Sequence, residues 1–311
     1  MKFEYFYVKL EMMKNNSNFK IDFLGIGVPR AATSWIDKCL SEHPQICMGR
    51  PKEIQFLDDV NKYNKGLDFY ASFFSHCQKG QLKGEYSPGY MSRVEQVNHS
   101  LIKERFPGIK FIVCLRNPIE RAHSNYVVHK VTQETGIKTF EKALKGPLKR
   151  LYIDAGFYYN PLKKFLGLYP KERFLILISE DIAKDPLKFI QGIYKFLGVD
   201  PNFVPPSAHK QVNWPASNAM KIPFLNLAIA NIKRFFFFRP RTTKPVVSFL
   251  KLLQLHKLSR FVLYANARKS GLKRHKKPPM SEEARRHLQE IYRDDIKNLE
   301  KLINRDLSFW K

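Results

Sequence analysis

No run of about 18 uninterrupted apolar residues occurs in this 311-residue chain, so no helix that crosses a bilayer is expected. The stretch Met1 to Lys20 also lacks the short apolar segment and cleavage site of a secretory leader, which points to the cytoplasm. Cysteine is scarce. Cys39, Cys47, Cys77 and Cys114 make up the whole complement, and no two form a Cys-x-x-Cys pair. That spacing offers no zinc-ribbon or thioredoxin-like motif, and all four are expected as buried free thiols suited to a reducing compartment. Acidic residues are few as well: 28 Asp and Glu face 54 Lys and Arg, a net charge of +26. Such an excess calls for an anionic partner, whether nucleic acid, an acidic membrane surface or a phosphorylated or sulfated small molecule. No RRM, KH, zinc-finger or helix-turn-helix pattern is present, so a basic nucleic-acid-binding protein is the weaker alternative and no nucleic acid is expected.

What is present is a globular α/β pattern, with 44% hydrophobic and 14% aromatic residues. Buried strands are expected at Ile21 to Ile26, Gln81 to Tyr86, Lys110 to Leu115 and Arg173 to Ile178. Helices are expected at Ala31 to Ser41, Leu67 to Phe74, Val97 to Arg105 and Ile119 to Val131, then at Phe140 to Leu144 and Leu162 to Leu168. Two more should cover Pro186 to Leu197, closed by Gly198, and Ser281 to Lys301, opened by a Ser281 cap. Lys52 to Leu57 reads as a short element of its own. Strands alternating with helices imply a mainly parallel sheet covered on both faces. Between Pro201 and Gly271 the character shifts to Phe-rich, basic amphipathic segments such as Ile222 to Phe238.

The chemistry starts at the end of the first strand. Gly27-Val28-Pro29-Arg30-Ala31-Ala32-Thr33-Ser34-Trp35 puts a cation and two hydroxyls where a helix opens, and free N–H groups there favour an anion. The Gly-x-x-x-x-Gly-Lys-[Ser/Thr] spacing of a Walker loop is absent. From this stretch alone, a phosphate cradle and a plain strand–helix turn fit equally. A second strand tips the balance. Lys110 to Leu115 ends in Arg116, where a P-loop NTPase would carry the magnesium-binding Asp. Ligands of parallel sheets sit beyond the carboxyl ends of the strands, so both ends feed one crevice. Ser124 follows on the next helix. A metal-free site built from arginines suits transfer of a sulfuryl group, which carries less charge than a phosphoryl group. A small-molecule kinase of P-loop type is the alternative within the same fold.

These residues resemble the PAPS-dependent sulfotransferases, in particular the bacterial and heparan-sulfate-type branch. Pro29 to Ile36 is similar to that family's Pro-[Lys/Arg]-x-Gly-Thr-[Thr/Ser]-x-Leu segment. Leu115-Arg116-Asn117-Pro118 with Arg121-Ala122-His123-Ser124 resembles its 3′-phosphate motif, and Gly84 to Tyr90 its Gly-Glu-x-[Ser/Thr]-Pro-x-Tyr segment. Glu53-Ile54-Gln55-Phe56, Gly156-Phe157-Tyr158, Phe196 to Val199 and Arg305 to Trp310 also fit. The resemblance implies a P-loop-like three-layer α/β fold over residues 20–311, after an extension at 1–19. Residues 205–270 would be a variable amphipathic helical segment serving as acceptor lid.

PAPS (3′-phosphoadenosine 5′-phosphosulfate) would be the co-substrate, with PAP as product and no metal. Arg30, Ala31, Ala32, Thr33, Ser34 and Trp35 would hold the phosphosulfate, with Arg30 also acting on the transferred group. Arg116 and Ser124, with Lys273 and Arg274 from the basic run 268–277, would hold the 3′-phosphate. Glu53 would be the general base, since an attacking hydroxyl or amine must lose its proton. Glu85, Tyr86 and Tyr158 would face the acceptor, a saccharide, lipid-linked glycan or other small molecule. Glu85 is a second candidate base, while His43, His123 and His129 are expected to be structural. The Phe-rich basic segments would pack as a lid, with peripheral contact to anionic membrane as the sharper reading. Three departures stand out. Arg30 replaces the common Lys, Tyr86 stands where heparan-type enzymes often have Lys, and Ala32 replaces Gly. The last should keep the loop out of left-handed φ or shift it.

Overall fold

The computed structural model describes residues 19–131, 137–147, 149–209 and 278–310. They group into two compact units, one drawn from Met1–Arg121, Asp154–Val212 and Ile291–Lys311, the other from Ala122–Ile153 and Asn213–Glu290. The first contains a parallel sheet of five strands: β1 (Phe23–Gly27), β2 (Ile46–Met48), β3 (Leu82–Tyr86), β4 (Lys110–Leu115) and β5 (Phe174–Ile178). They lie in the order β2-β3-β1-β4-β5, every neighbouring pair parallel. The longer helices are α1 (Thr33–Glu42), α2 (Gly66–Ser72), α3 (His99–Arg105), α4 (Pro118–Val131), α5 (Phe140–Lys145), α6 (Tyr159–Leu168), α7 (Pro186–Leu197) and α8 (Glu282–Ile303).

The apolar runs explain the sheet. Every residue of β1 is buried, as are Phe111 to Leu115 of β4. Parallel strands covered on both faces read as continuous hydrophobic runs for this reason. Rings pack against bare backbone in the middle: a side-chain carbon at Gly84 would lie 2.1 Å from the Phe23 ring, and one at Gly25 would lie 2.3 Å from the Tyr86 ring. Helix ends are set by their caps. Asp185 accepts from the Lys188 amide to start α7, and Gly198 at φ 85° ends it. Ser281 Oγ likewise accepts from the Ala284 amide at 3.2 Å.

Three expectations change here. Lys52 to Leu57 forms no regular element, and β2, only three residues long, was not read from the sequence. Cys47 and Cys77 form a disulfide with their Cα atoms 5.6 Å apart, while Cys39 and Cys114 are free and buried. The expectation of four reduced thiols therefore holds for two of them. The 210–270 part of the expected lid lies outside the described residues, as does the Phe-rich segment read as a membrane contact. No described helix is long and apolar enough to cross a membrane.

Candidate active site

Chain direction at β1 sets the site. From β1 the chain leads to β2 on one side of the sheet, and from β4 to β5 on the other, so the switch point lies between β1 and β4. Such a point leaves a crevice at the carboxyl ends of the two strands. Between Gly25 and Gly27 the β1–β4 register slips by a residue, which bends the strand end as bulges do. The Val28 amide then donates to the Cys114 carbonyl at 2.8 Å, pinning the start of the loop to β4.

The loop folds back on itself. Arg30 and Ala32 both adopt left-handed backbone, at φ 73° and 56°. Of the two outcomes expected for Ala32, avoidance of the left-handed region or a shifted loop, the first is overturned. The amides of Trp35 and Ile36 both donate to the Ala32 carbonyl, at 2.9 and 3.1 Å, and these bonds hold the turn against its preference. No side chain caps α1, whereas Asn98 and Asp185 cap α3 and α7. Helices leave their first amides without internal acceptors, and those of Thr33 and Ser34 make no backbone bond among the described residues. An alanine in left-handed backbone costs about 1–2 kcal/mol, offset in part by the greater unfolded-state freedom of glycine. Ala32→Gly is accordingly expected to raise stability by about 0.5–1 kcal/mol, or roughly 1–4 °C in a thermal melt. A lower melting temperature would show that the alanine methyl group packs to advantage.

Not every loop residue faces outward. Ala31 is fully buried and its amide donates to the Val28 carbonyl at 3.3 Å. The Trp35 indole is buried too, with Nε1–H donating to the Ser207 carbonyl at 2.9 Å. Both side chains anchor the loop from the core side.

The cations converge. At the end of β4, Arg116 Nη1 donates to the Arg30 carbonyl at 2.8 Å, joining the two strand ends directly. Burial first, then the positive charges of Arg116 and Arg121, hold the Arg30 guanidinium below its ordinary pKa, while Glu53 opposes the shift. Arg121 is 0% exposed. Two further positive charges disfavour the charged form of Arg30 in a partly desolvated space, and a bound anion would relieve that repulsion. Lys52 adds a fourth cation. Its Nζ donates to Ser34 Oγ at 2.9 Å and lies 3.7 Å from Glu53 Oε1. The Glu53 side chain is 45% exposed, open to an incoming group. Burial pushes the Asp37 carboxyl up to about 6, with Lys52 opposing and Glu53 reinforcing the shift. Asp37, Arg50 and Lys52 line one cavity of about 300 Å³.

The three residues expected to face an acceptor are buried in this structure. Glu85 is 1% exposed and accepts from Tyr70 Oη at 2.6 Å, Tyr90 Oη at 2.7 Å and Ser87 Oγ at 2.7 Å. Tyr86 is buried and donates to the Gly27 carbonyl at 3.1 Å. Tyr158, also buried, donates to the Arg116 carbonyl at 3.0 Å. Their hydrogen bonds brace the strand ends from which the loop departs.

Ser124 is buried on α4 and belongs to the second compact unit. Lys273 and Arg274 lie outside the described residues. Lys52 and Asp37 are not among the site residues expected from the sequence, whereas Arg121 lies in the segment that resembles the 3′-phosphate motif. The adjacency of Lys52 to Glu53 was a usable signal. Asp37 gave none beyond its place one helical turn after Ser34.

The profile of the sulfotransferase domain family matches residues 20–302. The chain is 28% identical over 185 residues to human heparan sulfate glucosamine 3-O-sulfotransferase 5, covering 57% of this chain and 53% of that protein. It is also 28% identical over 201 residues to human bifunctional heparan sulfate N-deacetylase/N-sulfotransferase 2, covering 58% of this chain and 22% of the relative. The chain thus spans about half the length of the first relative, and less of the second. Its fold is similar to that of a sulfotransferase from Alicyclobacillus acidocaldarius, with a TM-score of 0.64 at 21% identity, over 93% of this chain and 98% of that one.

Proposed function

The chain belongs to the sulfotransferase domain family, and from that premise we propose that it moves a sulfuryl group from PAPS to a hydroxyl or amine of a saccharide acceptor. The observation that carries this reading is the Arg116–Arg30 hydrogen bond, which joins the ends of β4 and β1 into one cationic site with Arg121 behind it. The family uses PAPS as donor. The residues present fit that anion: a helix start without a side-chain cap, clustered arginines and Lys52 bonded to Ser34. The saccharide acceptor is drawn from relatives whose names place them on heparan sulfate.

Transfer is direct and in line. As the acceptor oxygen or nitrogen bonds to sulfur, the bridging S–O bond to the nucleotide phosphate breaks, and PAP departs with the negative charge. Arg30, Lys52 and the amides of Thr33 and Ser34 hold that growing charge in place, which lowers the barrier more than it aids ground-state binding. Glu53 takes the proton from the acceptor. Arg116 holds the 3′-phosphate end and keeps Arg30 fixed through its carbonyl.

Calorimetric titration with PAP tests the reading. Wild type should bind with or without magnesium. Arg116→Ala removes a charged partner worth about 1.5–3 kcal/mol, so affinity should fall roughly 10- to 150-fold. Absence of PAP binding by the wild type overturns the proposal, and a strict magnesium requirement favours the kinase alternative.

A further inference from the structure

The cavity of about 300 Å³ beside Lys52 is also lined by Cys47 and His76. His76 Nε2 lies 3.4 Å from Cys47 Sγ, and the possible ligand atoms of Cys47, His76 and Cys77 all lie within 4.8 Å of one another. We propose that this cluster is a redox-gated metal site, closed as a disulfide and, once reduced, able to hold one Zn²⁺ ion through Cys47 Sγ, Cys77 Sγ and His76 Nε2.

The geometry favours it. Tetrahedral zinc with bonds of about 2.3 Å to sulfur and about 2.0–2.1 Å to nitrogen separates an N and an S ligand by roughly 3.6 Å, and two sulfurs by roughly 3.8 Å. The His76–Cys47 spacing already matches, and two Cα atoms 5.6 Å apart let the sulfurs part without moving the backbone far. The frame does not depend on the S–S bond. Cys47 sits within β2, paired to β3, and the next residues are tied by Gly49 N–H to the Gly84 carbonyl and Arg50 N–H to the Phe73 carbonyl, each at 2.9 Å. On the other side, the Cys77 amide donates to the Phe74 carbonyl at 3.0 Å. His76 is exposed, so an ion can enter, and the cavity leaves room for water as a fourth ligand.

The chemistry balances. A dithiol gives up two electrons and two protons and closes into its own disulfide, while the Cys47–Cys77 bond opens to two thiols. The ion then binds both sulfurs as thiolates with neutral imidazole, and two protons pass to solvent. Soft thiolates with imidazole select zinc over magnesium or calcium.

The full chain, reduced with a phosphine and desalted without oxygen, is dialysed against Zn²⁺ alone and its bound metal counted. One ion per reduced chain and none per oxidised chain is expected. Co²⁺ in its place should give the intense visible bands of a tetrahedral thiolate site. Cys47→Ser should abolish stoichiometric binding although Cys39 and Cys114 remain. His76→Ala, at an exposed position that leaves the fold intact, should weaken binding by at least about tenfold, as even second-shell losses do. Equal binding by oxidised and reduced chain, no binding by reduced wild type, or undiminished binding by either variant overturns the proposal. Circular dichroism of each variant separates lost binding from lost fold.

Discussion

Replacing Glu53 with glutamine is expected to lower turnover by about 10²- to 10⁴-fold, the usual contribution of a positioned general base, while PAP affinity stays near wild type. Glutamine keeps the shape and can still hydrogen-bond, but it cannot take a proton. Two features single out this carboxylate. It lies 3.7 Å from Lys52 Nζ, which itself bonds Ser34 at the start of α1, and it is half-exposed where Glu85 is sealed. The change should appear in kcat, because the proton moves only as the acceptor attacks. Turnover by Glu53→Gln equal to wild type, measured with a labelled donor and an accepted saccharide, would remove Glu53 as base.

Glu85→Ala should act on the fold rather than on chemistry. The side chain gathers Tyr70, Tyr90 and Ser87, all buried. Each orphaned buried donor costs about 1–3 kcal/mol. Burial also pushes the Glu85 carboxyl above its usual pKa, so the wild type already carries a desolvation penalty that the alanine removes. We expect a net loss of about 3 kcal/mol, or roughly 6–12 °C in melting temperature. Glu85→Gln, which keeps one acceptor oxygen for the tyrosines, should lose less. An alanine variant that melts with the wild type would mean that water replaces the carboxylate in this pocket.

Much of the frame could be read in advance because it rests on local signals. Lys110 to Leu115 is a strand over the expected residues, and Pro186 to Leu197 is a helix ended by Gly198. Period and punctuation suffice for such elements. The cationic site was partly legible for a related reason: strand ends in a parallel sheet converge wherever the strands pair, so Arg30 and Arg116 could be placed together. What escaped depends on contacts far apart in sequence. Nothing in the spacing pairs Cys47 with Cys77, 30 residues on. The Glu85 hub needs Tyr70 from α2 to meet β3, and only the folded chain shows that Glu85 and Tyr86 point inward. Ala32 failed in the other direction. Its intrinsic preference was read correctly, and two amide bonds to its carbonyl overrule it.

The Arg116–Arg30 bond spans 86 residues of chain. Local segments can coil into α1 or α7 early, but β1 and β4 are far apart in sequence and must be brought together across the chain between them. Non-local parallel pairing of this kind is slow, because loop-closure entropy is lost before contacts compensate. The hydrogen bond from Arg116 to the Arg30 carbonyl therefore forms only once this long-range pairing is in place. Until that moment the two arginines remain separate charges on an immature sheet.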